Sequence, residues 1–120
     1  MNDKKNIQGA KDTKDKKDSN IVVQLQTQRR TNRLNSIKNE LEAGKMNSFD
    51  QMFAIMSETR ISIELGISFY AFRKKVNDPG EFTLNELIRF ASLVGVKYDV
   101  MANFVWDRIK AKSKSRIFRS

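Results

Sequence analysis

Apolar side chains recur at helical spacing in six runs along this chain, and most runs are bounded by residues that start or stop helices. The first begins at Arg33, with Leu34, Ile37 and Leu41 three and four apart and Gly44 placed as a stop. Ser48 opens the second, with Gln51 at capping-box spacing and Phe49, Met52, Phe53 and Met56 following the i, i+3, i+4, i+7 rule. Ser57 starts a short helix with Ile61 and Leu65 on one face, and Gly66 ends it. Ser68 caps another, in which Phe72 and Val76 turn inward. The turn Asn77-Asp78-Pro79-Gly80 follows, since proline fixes φ at its second corner and glycine permits positive φ later. Thr83 and Glu86 then form a capping box, with Phe82 and Leu87 as a hydrophobic staple. Leu84, Leu87, Ile88, Ala91 and Val94 make the expected buried face of that helix, with Phe90 beside it, up to Gly95. Asp99 is placed to cap a last helix whose Met101, Phe104, Val105 and Ile109 face inward, with Trp106 at the edge. The fold class that follows is all-α: one compact domain of about five helices over 48–109, and an extra N-terminal helix with its linker over 33–47.

The flanks read differently. Residues 1–32 are expected to form a basic, disordered arm, because the lysine-rich polar stretch at its start cannot bury enough surface to offset the entropy of ordering. Ile21, Val22, Val23 and Leu25 are an apolar island within it, able to dock on the domain or on a partner. Extending the Leu34-Ile37-Leu41 stripe backward meets Arg30, Thr27 and Val23, so a long coiled coil has little support. Residues 110–120, KAKSKSRIFRS, read as a basic tail.

A length of 120 residues allows one small core plus tails. With no Cys and no His, redox and zinc chemistry are close to excluded. There is no glycine-rich phosphate loop, metal-spaced cluster or nucleophile with a histidine base, so neither catalysis nor a cofactor or metal is expected. No apolar run approaches a membrane span or a signal core, which makes a cytoplasmic protein the expectation. The net charge of +9 is unevenly spread: residues 48–96, with five basic and six acidic side chains, carry −1, whereas residues 97–120, with seven and two, carry +5. A near-neutral core with basic flanks fits a folded reader with arms that follow a phosphate backbone.

Residues 48–109, about half of the chain, resemble the lambda-repressor/Cro-like (XRE-type) helix-turn-helix family. SETRISIELGIS is similar to the family's first helix and turn, with Ser62 where that family prefers Ala and Gly66 four residues later. FRKKVNDPGEFTLNELIRFASLVGV is similar to a bacterial and phage subgroup reading K-[IV]-N-x-P-x-x-F-T-x-x-E-[LI]. The family buries an apolar residue three after the Phe72 position, where this chain has Lys75, with Val76 next. A slight rotation of the second helix is expected, bringing Phe69 to the inner face and leaving Tyr70, Arg73, Lys74 and Asn77 as the outward ridge.

The resemblance implies double-stranded DNA as partner, and a transcriptional regulator or nucleoid-associated protein as the role. Arg73 can fork onto guanine O6 and N7, Asn77 can pair with adenine, and Lys74 or Lys75 can meet phosphate. Tyr70 can touch a thymine methyl, and Ser68 and Ser57 stand at helix starts that receive phosphate. Arg29, Arg30, Arg33, Lys110, Lys112 and Lys114 are further candidates for phosphate contact. A homodimer is expected, since such readers gain affinity from two half-sites. The alternative is a protein-interaction module on the same scaffold, antitoxin-like or a phage accessory protein, for which Phe69 and Tyr70 supply exposed aromatics. RNA is the weaker branch, lacking an aromatic-rich sheet motif.

Overall fold

The computed structural model describes the backbone of residues 2–119 and the side chains of residues 20–113. Among the described residues there are six α-helices and one 3-10 turn and no strand: α1 (Asn2–Glu42), α2 (Phe49–Ile55), α3 (Glu58–Leu65), α4 (Phe69–Asn77), the 3-10 turn (Pro79–Glu81), α5 (Leu84–Val94) and α6 (Tyr98–Arg119). The all-α class expected from the pattern holds. The chain divides into two units, Met1–Asn32 and Arg33–Ser120.

In the first unit, α1 runs helically through residues for which a disordered arm is expected from composition. The difference lies in local hydrogen bonding rather than in burial. No proline interrupts the segment, so its backbone N–H and C=O groups can pair along the helix; the Thr27 and Thr31 hydroxyls also donate to the carbonyls of Val23 and Thr27 one turn back, bonds that add no helix stability. Ile21, Val22, Val23 and Leu25 stay about half exposed, so the apolar island contributes nothing to a core there. At the other end, α6 continues to Arg119 where a tail is expected from Lys110 onward.

In the second unit, Leu34, Ile37 and Leu41 of α1 join the core as their spacing predicts. Gly44 takes φ +70°, the left-handed geometry that ends α1. Gln51 ties the following turn to α2: its backbone N–H donates to the Ser48 hydroxyl, while its side chain accepts from the Asn47 N–H and donates to the Lys45 carbonyl. The centre of the unit is aromatic. Phe49 meets Phe104 edge-on at 5.1 Å between ring centroids, and Phe72 lies 5.9–6.2 Å from Phe53, Phe82 and Phe90. Phe72 and Phe90 have no exposed surface, and burial of each contributes roughly 1.5–3 kcal/mol. One helix residue from α4 is thus gripped by α2, α5 and the segment after the 3-10 turn, which fixes the rotation of α4 about its axis.

Two expectations need correction. In α5 the buried face is Leu87, Phe90, Ala91 and Val94, while Leu84 and Ile88 are 70% and 53% exposed. Both stripes obey helical spacing, and the large Phe90 ring, 6.3 Å from Phe82, takes the inner position. α6 begins at Tyr98 rather than after Asp99, because the Lys97 carbonyl already accepts from the N–H groups of Val100 and Met101. Met101, Phe104 and Val105 are buried and Trp106 is exposed, as expected.

Candidate nucleic-acid interface

Helices α3 and α4 are joined by Gly66, Ile67 and Ser68. The Ser57 hydroxyl accepts from the Arg60 N–H at 3.2 Å and starts α3, whose Ile61, Ser62 and Leu65 are buried. At its end Gly66 adopts φ +70°, and the N–H groups of Gly66 and Ile67 donate to the carbonyls of Ile63 and Ser62. The Leu65 carbonyl, left without a helical partner, accepts from Arg89 Nη1 of α5 at 3.2 Å. Ser68 then caps α4, its hydroxyl accepting from the Ala71 N–H at 3.1 Å. The turn is therefore fixed by capping at both ends and by Ile67, partly buried against the core, and α4 is presented as a short helix with one face in the core.

The opposite face of α4 is the candidate site. Tyr70, Arg73, Lys74 and Asn77 are exposed and together line a shallow concavity of about 180 Å³. The outward ridge expected from the sequence is brought together. Phe69 is not on the inner face: it is 41% exposed, with the Arg73 guanidinium 5.8 Å from its ring centroid. With about 100° per residue, Phe69 and Lys75 flank Phe72 at about 60° on either side. Both are border positions of the buried face, and each has a charged neighbour there, Arg73 for Phe69 and Glu86 for Lys75.

Lys75 is placed differently from the expectation of a DNA contact. Its ammonium lies 2.6 and 2.7 Å from the two carboxylate oxygens of Glu86, with side chains only 19% and 11% exposed. Glu86 also accepts from the Thr83 N–H at 2.9 Å and donates its own N–H to the Thr83 hydroxyl, completing the capping box of α5. Burial alone would raise the Glu86 pKa, but the Lys75 hydrogen bond, the Thr83 N–H and the Lys75 charge together hold it below its ordinary value. Lys75 is a tie between α4 and α5, and it reaches Glu86 because a border position lets a long stem lie along the core.

The other candidate phosphate contacts fall into distinct settings. Lys112 donates to the Asn77 carbonyl and so caps the last turn of α4. Lys110 pairs with Asp107 at 3.2 Å and lies 5.9 Å from the centre of the Trp106 ring. Arg33 and Arg29 are exposed and Arg30 is half-buried, the last two in the unit Met1–Asn32. The side chain of Lys114 lies outside the described residues. The Ser57 and Ser68 hydroxyls act as caps, each accepting from a backbone N–H. Three contacts had no local signal in the sequence: Lys75 with Glu86, Arg89 with Leu65, and Lys112 with Asn77. Each joins residues more than ten positions apart, outside the reach of any periodicity. Phe69 and Arg73, four apart on one helix, could have been found from i, i+4 spacing.

Among the described residues no group of three or more His, Cys, Asp or Glu could hold a metal ion, and no helix is long and apolar enough to cross a membrane. Comparison with protein-family models, with curated proteins and with solved structures returned no match.

Proposed function

We propose that this chain binds double-stranded DNA by seating α4 in the major groove, as a helix-turn-helix reader of the lambda-repressor/Cro-like type. The single observation that carries the reading is the outward face of α4, where Tyr70, Arg73, Lys74 and Asn77 stand side by side on a helix anchored from behind by Phe72. These are groups that donate to or accept from base edges and phosphate oxygens, and the major groove is wide enough to admit a helix such as α4. The basic flanks add sequence-independent attraction to phosphate. A cytoplasmic, nucleoid-associated regulator, working as a homodimer on two half-sites, is the role this reading implies.

The test is binding of the full chain to labelled random-sequence duplex between roughly 50 and 200 mM salt, beside Arg73→Ala and Lys74→Ala. Each substitution is expected to weaken binding, and loss of a phosphate contact at Lys74 lowers the salt slope by about 1. Unchanged binding by both variants would remove α4 as the contact surface.

Leu84 and Ile88, four apart and exposed on α5, favour a second reading in which the domain binds a protein. Charged substitutions at both positions test it: capture of a protein partner should be lost while duplex binding through α4 persists, whereas a fall in duplex affinity together with loss of the dimer assigns the pair to the contact between two copies.

A further inference from the structure

Arg73 differs from the other two cations of α4. Lys75 is held by Glu86, and Lys74 is exposed. Arg73 lies against the ring of Phe69, one turn earlier on the same helix, at 5.8 Å from guanidinium carbon to centroid. Among the described residues no carboxylate pairs with it. Phe69 is 41% exposed, so its ring is not a core element, and its position on α4 is fixed by Ser68 capping on one side and Phe72 burial on the other. A guanidinium resting on an aromatic face is attracted to the ring's negative quadrupole and loses rotameric freedom, yet its N–H edges stay available. Those edges are the fork that reads O6 and N7 of guanine.

We propose that Phe69 is a positioning residue which pre-orders Arg73 for guanine readout, so that part of the entropy of fixing the arginine is lost on folding rather than on binding. The inference rests on the DNA-binding reading of α4. Phe69 need not touch a base, and its effect passes through Arg73.

The experiment uses the full chain. A preferred duplex is first selected from a randomised pool, and affinity is then measured by fluorescence anisotropy on that duplex and on copies carrying 7-deazaguanine, which lacks the N7 acceptor. Wild-type protein is expected to lose affinity on one 7-deaza copy, and Arg73→Ala to be blind to that change. Phe69→Leu is expected to weaken binding to the selected duplex roughly 3- to 10-fold, to lessen the 7-deaza penalty and to leave the salt slope unaltered. Phe69→Tyr keeps the ring face and should bind like wild type. If Arg73→Ala is crippled while Phe69→Leu matches wild type on both duplexes, the stacking positions nothing and the inference falls, with the DNA reading intact. If Phe69→Leu weakens every duplex equally and also lowers the melting temperature, its role is structural and the inference falls. If no sequence is selected and Arg73→Ala binds as wild type, the DNA reading falls and takes the inference with it.

Discussion

Substituting Glu86 by Gln tests the tie between the candidate reading helix and α5. The amide keeps the volume and can still accept from the Thr83 N–H, so what is removed is the charge facing Lys75 Nζ at 2.6 Å. Removing one partner of a fully buried pair costs about 3–5 kcal/mol. Lys75 retains 19% exposure and can swing its ammonium toward water, which reduces the expected loss to about 2 kcal/mol. For a domain of this size that corresponds to a fall of about 8–16 °C in Tm. The folded-state pKa of Glu86 is depressed, so its contribution is fully present above the ordinary value of 4.5 and is lost as pH falls through the folded pKa below it. Wild-type and Glu86→Gln melting curves should therefore lie apart at pH 7 and converge as pH falls through the lowered pKa of Glu86. Pairing the substitution with Lys75→Met should cost less than the sum of the two single changes, because neither charge is then left alone. Urea unfolding of the four proteins across pH measures all of this. A Glu86→Gln protein within about 0.5 kcal/mol of wild type at pH 7, or a gap that widens in acid, would refute the reasoning.

Three further outcomes follow from the helix ends and the core. Ser62 is 1% exposed and its hydroxyl donates only to the Thr59 carbonyl in its own helix, so Ser62→Ala should be neutral or stabilising by up to about 0.5 kcal/mol, whereas Ser62→Leu should cost about 1–3 kcal/mol by overpacking; thermal melts compare them. At Gly66, with φ +70°, an added Cβ would meet nothing within 4 Å, so Gly66→Ala should cost only the left-handed strain of about 1–2 kcal/mol, and a larger loss in denaturant titration would mean a steric cause. Arg89→Met keeps the apolar stem but leaves the Leu65 carbonyl without its donor; about 0.5–1.5 kcal/mol of stability should be lost, with duplex affinity at low salt unchanged.

The helices and their caps were legible because they are local. Ser48, Ser57, Ser68 and Thr83 each cap as expected, and Gly44, Gly66 and Gly95 each adopt the left-handed conformation that ends a helix. The rotation of α5 was not legible, since Leu84-Ile88 and Phe90-Val94 are both four apart, and only the space left by Phe72 and Phe82 decides between them. The candidate ridge of α4 was read correctly in Tyr70, Arg73, Lys74 and Asn77 for the same local reason. Its borders were misread. Lys75 counts as a solvent cation until Glu86, eleven residues on, is folded against it, and Phe69 counts as core until Phe72 is seen to be sufficient to fill the site.

The bond from Lys112 to the Asn77 carbonyl has a practical consequence for how the chain can be divided. By periodicity the helical domain ends at Ile109, and on that pattern a boundary drawn there removes only surplus charge. It would also cut away the donor that closes the last turn of α4, the turn bearing Asn77. A protein shortened to that boundary would fray where the candidate site is most exposed, and a weakened affinity would be mistaken for a missing electrostatic arm. Replacing Lys112 alone by Gln, which retains an N–H donor without the charge, tells the fraying from the charge before any residue is deleted.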